Sequence, residues 1–207
     1  LARFKPAPMP GASQAIVEPW RNLLAQLDTH WDWLDVSHGY HKLELFQCLS
    51  QKPVETLRQM ISKQINSPMT SSCGRLFDAV AAALGICRDR ISYEGQAAIE
   101  LEALVDQDLL QSLEPYPFEL KHEDPIEINP APMWQALLQD LQRQIPAPRI
   151  ATRFHLCLGQ IVGTVVERIS RQHGINTVAL SGGVFQNPTL LQLSIDALQQ
   201  RRIKVLT

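Results

Sequence analysis

The 207-residue chain has no run of about 18 apolar residues, the length needed to cross a bilayer as a helix. It has no excess of one charge: 19 Lys and Arg face 21 Asp and Glu, a formal net charge of -2. That balance excludes the basic surface on which electrostatic nucleic-acid binding depends. Aromatics are sparse at 6%, and the four cysteines (Cys48, Cys73, Cys87, Cys157) are scattered without any C-x-x-C pair. A disulfide framework and a structural zinc site are therefore not expected, and reduced thiols are. The opening LARFKPAPMP lacks the charged-then-apolar order of a signal peptide. These absences lead us to expect a cytoplasmic protein with no nucleic-acid or membrane partner. Because the first residue is Leu and not Met, the chain is expected to be cut from something longer, a domain truncated on both sides.

What is present is an ordinary globular composition, with 45% hydrophobic residues in a chain long enough to bury a sizeable core. Residues 1–19 carry Pro6, Pro8, Pro10 and Pro19 and read as an extended connector. Residues 20–173 read as mostly helical. Apolar spacing predicts helices over 20–34, over 42–64 with a break at Pro53, over 74–84, from Gly95 to Ala103, over 133–144 and over 150–173. Thr70 to Ser72 offer hydroxyls to cap the 74–84 helix, and Gly174 stops the last one. Residues 114–132, with five prolines, read as a loop or a pair of short extended segments. Residues 174–207 read as strand (177–180), turn, helix (189–200) and strand (203–206), a βαβ unit with parallel strands. Two parallel strands do not make a sheet alone. The missing neighbours lead us to expect self-association through exposed edges.

Three stretches carry chemistry. VALSGGVFQN (178–187) ends an apolar run in Ser-Gly-Gly and hands over to a helix, which places backbone N–H groups beside a helix N-terminus. That geometry holds a phosphate or the face of a nucleotide. TSSCGRLFDAVAAALG (70–85) and ISYEGQAAIELEAL (91–104) accompany it. Cys73, in the Ser-Ser-Cys-Gly turn, reads as a buried small hydrophobe, since nothing in the sequence supplies the base a nucleophilic thiol needs. His38 and His41, with Asp35 nearby, have H-x-x-H spacing, which is not the i, i+4 pair that one helical face favours for zinc.

SPMTSSCGRLFDAVAAALGI, ISYEGQAAIELEAL, TRFHLCLGQ and VALSGGVFQN, in that order, closely resemble the C-terminal part of the hydrogenase-maturation carbamoyltransferase family HypF. LARFKPAPMPGASQAIVEPWRNLL also looks like that family's segment after its first nucleotide-binding β-hairpin. The resemblance implies an α-rich α/β fold, part of an actin-like ATPase (ASKHA-type) domain. It implies ATP and carbamoyl phosphate as substrates, a carbamoyl-adenylate intermediate, and transfer of the carbamoyl group to the C-terminal cysteine of a HypE-like partner protein. The family's metal ligands lie outside these 207 residues, so a metal ion is expected only in the complete domain. This chain alone is expected to be inactive.

The resemblance also assigns residues. Asp78 matches a substrate- or nucleotide-contacting Asp, the other reading being a polar residue on an exposed helix face. Gly95, Gln96 and Glu100 fall where relatives place a Gly-Gly pair and a ribose-binding Glu; Gln96 departs from the second glycine. Gly182 and Gly183 would admit a nucleotide to the backbone, and Asn187 would add an amide contact while capping the following helix. Arg153 and His155, in TRFH, come second, His155 being read first as a hydrogen-bonded packing residue. The turn at 181–187 is expected to form one nucleotide face with Asp78, Gly95 and Glu100. The alternatives are an O-carbamoyltransferase or tRNA threonylcarbamoyl-transfer relative, or a non-catalytic helical docking surface.

Overall fold

A computed structural model describes residues 1–207 apart from His122. In chain order it contains β1 (Ala2–Phe4), β2 (Ala7–Pro8), α1 (Ser13–Val17), α2 (Pro19–His30), α3 (Trp33–Gly39), α4 (Glu44–Ser50), α5 (Val54–Ser62), β3 (Met69–Thr70), α6 (Cys73–Ala83) and α7 (Gln96–Glu102). There follow β4 (Glu119–Lys121), β5 (Ile126–Asn129), α8 (Ala131–Gln142), α9 (Ala147–His173), β6 (Thr177–Ala179), α10 (Pro188–Gln200) and β7 (Lys204–Leu206). The α-rich α/β class expected from the sequence is what the chain adopts. Two units divide it: an N-proximal one (4–101 and 138–144) and a C-proximal one (1–3, 102–137 and 145–207).

The N-proximal unit is organised by α2 against α6. Helix α6, CGRLFDAVAAA, is buried continuously from Leu76 to Ala83, which a helix apolar on nearly all sides demands. Its small Ala79, Ala81, Ala82 and Ala83 leave room for a neighbour, and the fully buried Leu23, Leu24 and Leu27 of α2 supply the bulk. Ser72 occupies the N-cap position of α6 without a side-chain cap bond. Its backbone N–H instead donates to Thr70 Oγ1 at 3.1 Å, so the expected hydroxyl cap folds into a local turn. At the other end the buried Arg88 donates from Nε to the Ala82 carbonyl at 2.7 Å and from Nη1 to Glu44 at 2.9 Å. Its own carbonyl accepts the Trp20 N–H at 3.0 Å. One side chain and its backbone thus tie α2, α4 and α6 together.

Residues 1–19 are not a bare connector. β1 joins a three-stranded sheet in the order β1-β5-β4, and β2 pairs antiparallel with β3, Ala7 opposite Thr70 and Pro8 opposite Met69. The prolines mislead because proline is tolerated in such short edge strands, where it need not donate to a ladder. The 114–132 segment supplies the antiparallel hairpin β4–β5, with Glu119 opposite Asn129.

In the C-proximal unit α9 runs for 27 residues, about 40 Å at 1.5 Å per residue. Its buried Ile150, Ala151, Phe154, His155, Cys157, Leu158 and Ile161 follow the three-to-four spacing of one helical face. Gly174, at φ 67°, ends it. The βαβ unit follows as expected, β6 and β7 pairing parallel with Thr177 opposite Lys204. Leu180, Leu198 and Ile203 form its core, and Val162 and Val166 of α9 pack onto it.

Helix α9 meets α10 through two glycines. A Cβ at Gly159 would lie 2.9 Å from Leu193 Cβ and 3.4 Å from the Leu193 backbone, and one at Gly163 would lie 3.0 Å from Ala197 Cβ. Both pairs advance in the same direction, so the helices run parallel. Overpacking of this kind costs on the order of 1–3 kcal/mol. Gly159→Leu is therefore expected to lower stability by about 1 kcal/mol even after the ~1 kcal/mol gained in helix propensity. Gly39→Ala, whose Cβ meets nothing within 4 Å, should be neutral or stabilising. Thermal denaturation of the two variants checks the opposite signs.

Candidate functional site

The turn after β6 has an open backbone. Gly182 has φ 100°, in the region that favours glycine, and Gly183 to Gln186 form a single 3₁₀ turn. Ser181, Gly182 and Gly183 are exposed, and a Cβ at either glycine would meet nothing within 4 Å. Ligands of open α/β units bind at the carboxyl ends of strands, the end of β6 at which this turn sits.

The helix N-terminus beside it is a different matter. Pro188 has no N–H to offer. Thr189 N–H donates to Glu102 Oε1 at 2.8 Å, Leu190 N–H to Asn187 Oδ1 at 2.7 Å, and Leu191 N–H to the Asn187 carbonyl at 3.0 Å. The expectation that α10 and the turn share an anion therefore gives way to a correction. The protein's own carboxylate fills the helix end, because four orphan N–H groups at a helix start need acceptors. Glu102 escaped sequence reasoning; its only signal was a Glu in the IELE string, 87 positions from its partner.

Asn187 caps α10, as expected, and its other amide atom is also engaged. Nδ2 lies 3.2 Å from His155 Nε2, and His155 Nδ1 lies 2.8 Å from the Ala151 carbonyl. The carbonyl can only accept, so Nδ1 carries the proton and Nε2 accepts from the amide. Burial pushes the His155 pKa below its ordinary value, against the Ala151 hydrogen bond and the nearby Glu102 carboxylate, which raise it. Arg153 serves packing: its guanidinium lies 4.1 Å from the Tyr116 ring centroid and its Nε donates to the Glu114 carbonyl at 3.0 Å.

In the N-proximal unit Gly95 has φ 82° just before α7. Gln96 Oε1 accepts the Ser92 N–H at 2.6 Å, and Gln96 Nε2 donates to Glu100 Oε1 at 2.7 Å. The residue that departs from a second glycine thus orients Glu100, whose carboxylate remains exposed. Desolvation and a hydrogen bond to Glu100 push the Cys87 thiol up to about 11. The Cys73 residue is only half-buried, yet desolvation pushes its thiol up to about 12, which agrees with the packing role and not with a nucleophile. Exposed His41 binds the His38 carbonyl through Nδ1 at 2.8 Å. Among the described residues no group of three or more His, Cys, Asp or Glu side chains converges as a metal site would.

Asp78 is not on an exposed helix face; it is 3% exposed. Arg75 Nη1, one turn earlier on α6, lies 2.8 Å from Asp78 Oδ2. The two are not aligned as a hydrogen bond, and among the described residues neither atom has such a partner. Desolvation pushes the Asp78 carboxyl up to about 6, only partly offset by Arg75. Unfolded, it titrates near 3.8. Between these values the folded state holds the extra proton. The stability linked to it is full below pH ~3.8 and is lost as pH rises through ~6, about 3 kcal/mol in all. Denaturant titrations across pH 3.5–7 are expected to show that fall, and Asp78→Asn to remove it.

The sequence-assigned residues therefore fall in two groups: Asp78, Gly95, Gln96 and Glu100 in one unit, Gly182, Gly183, Asn187, Arg153 and His155 in the other. Similarity to known proteins extends over both. Residues 1–207 match the family model "Carbamoyltransferase, Kae1-like Domain, second subdomain". Carbamoyltransferase HypF of Rhodobacter capsulatus is 37% identical over 208 residues, covering 98% of this chain and 25% of that protein. Carbamoyltransferase HypF of Synechocystis sp. is 35% identical over 215 residues, covering 97% and 26%. The crystal structure of full-length HypF in the phosphate- and nucleotide-bound form superposes with a TM-score of 0.86 at 30% identity, over 99% of this chain and 26% of that one. T. kodakarensis HypF gives 0.78 at 25% identity, over 100% and 27%. The chain spans about a quarter of the length of these two curated relatives. Over its whole length it belongs to the HypF carbamoyltransferase family, as the second subdomain of the Kae1-like domain.

Proposed function

We propose that this chain forms part of the nucleotide-handling surface of a carbamoyltransferase that acts in hydrogenase maturation. In this reading ATP and carbamoyl phosphate yield a carbamoyl-adenylate, and the carbamoyl group passes to the C-terminal cysteine of a HypE-like partner in the cytoplasm. The observation that carries it is the open turn at the end of β6, where Gly182 and Gly183 leave backbone free of side chains. A relative solved in a phosphate- and nucleotide-bound form supports the same use in this chain.

Within that reading Gly182 and Gly183 admit the nucleotide and Asn187 contacts it through its remaining amide proton. Glu100, held by Gln96 beside Gly95, accepts ribose hydroxyls. Asp78, ionised above about pH 6, meets substrate beside Arg75. Arg153 and His155 are second-rank members of this set. The metal ion that the resemblance implies belongs, in this reading, to the complete domain. The isolated chain lacks a complete site and is expected to be inactive.

The edges of β6 and β7, in a sheet of two parallel strands, invite further strands. Light scattering of the isolated chain at rising concentration is expected to show association; a monodisperse monomer would count against it. In the full-length enzyme Gly183→Val and Asn187→Ala are expected to abolish carbamoyl transfer with the fold intact. A branched side chain at 183 occupies ligand space, and the cap lost at 187 costs only about 1 kcal/mol. The readout is the mass of the partner's terminal cysteine; normal transfer by both variants would make the turn structural.

A further inference from the structure

Glycines carry no side chain by which a turn can be held, so the Gly182–Gly183 backbone has to be seated from its ends. One end is the exit of β6, where the Leu180 N–H donates to the Leu206 carbonyl at 2.9 Å. The other is Asn187. We propose that His155 is a positioning residue for the turn: it fixes the Asn187 amide, and through it the place at which a nucleotide meets Gly182 and Gly183. This role rests on the nucleotide reading of the turn.

Donors and acceptors decide the arrangement. His155 is fully buried on α9. Its Nδ1–H donates to Ala151, which leaves a lone pair at Nε2. The Asn187 Nδ2, 3.2 Å away, can only donate. Asn187 Oδ1 accepts from Leu190 N–H at 2.7 Å. The amide is thus oriented by two independent contacts. Turned over, it would set its oxygen against a lone pair and its NH₂ against an N–H, losing both. The charged group nearby is Glu102, whose carboxylate closes the same helix end at Thr189 and favours a proton on the imidazole. A protonated His155 would present Nε2–H to Nδ2–H, donor against donor. Only the neutral ring seats the turn, and burial keeps it neutral.

The test uses the intact protein, with ATP as the probe and calorimetry as the readout. His155→Phe keeps a ring and removes both nitrogens; ATP binding is expected to weaken about ten-fold, the cost of one buried donor left unpaired. His155→Gln returns an acceptor oxygen toward Asn187 and is expected to recover most of that loss. Unchanged ATP affinity in His155→Phe, with only the melting temperature lowered, would overturn the proposal. Asn187→Asp keeps a cap for Leu190 but turns an acceptor toward Nε2, so the imidazole is expected to take up a proton. Its NMR titration midpoint should rise by about one unit or more, and an unmoved midpoint would also overturn the proposal. Gly183→Val separates the two claims. If it leaves ATP binding intact, the nucleotide reading of the turn fails; if it abolishes binding while His155→Phe does not, only the role of His155 fails.

Discussion

The C-proximal unit depends on how closely α9 approaches α10. The contact includes a stripe on α9, His155, Gly159, Gly163 and Glu167, each four residues from the last, flanked by Val162 and Val166. Such a row is one ridge of a helix. Gly159 and Gly163 receive Leu193 and Ala197, and Glu167 takes Arg201 Nε at 3.1 Å. His155 reaches Asn187 at the start of the same partner helix. With larger residues at the two notches, α10 would stand off. Leu198 would then leave the core it forms with Leu180 and Ile203, and His155 would lose Asn187. The packing and the polar contact at the turn thus share one geometric condition.

Electrostatics divides the end of β6 into two parts. The N-terminus of α10 carries the positive end of its dipole, and a carboxylate there stabilises a helix by about 0.3–1 kcal/mol. Glu102 takes that position. An incoming anion would have to compete with a charge already held by the protein, whereas the glycine backbone has no such occupant among the described residues. The same chemistry, N–H groups looking for acceptors, is used for folding at one point and left open a few residues away.

Much of this was legible in the sequence, and the failures have physical causes. The βαβ unit, the helix from 150 to 173 with its glycine stop, and the capping role of Asn187 follow from periodicity and local rules. Local rules also misled. Prolines made residues 1–19 look unpaired, though short edge strands tolerate them. Thr70 turned inward on Ser72, because a hydroxyl serves a local turn as readily as a cap. The alternative reading of Asp78, a polar residue on an exposed helix face, fails because α6 is apolar on nearly all sides and Asp78 is buried. The links between Glu102 and Thr189, and between His155 and Asn187, join positions 87 and 32 apart, and nothing in a single sequence points across such distances. The notch at Gly159 and Gly163 was there to be read: two glycines four apart inside an amphipathic helix mark a close neighbour.

Two notches in one ridge also set a step size. For α10 to slide along α9, Leu193 must lift out of the pocket at Gly159 before it can drop into the next, at Gly163. That travel is four residues of helix, about 6 Å. Positions between the two oppose side chain to side chain. The joint therefore has a defined seat and resists small displacements.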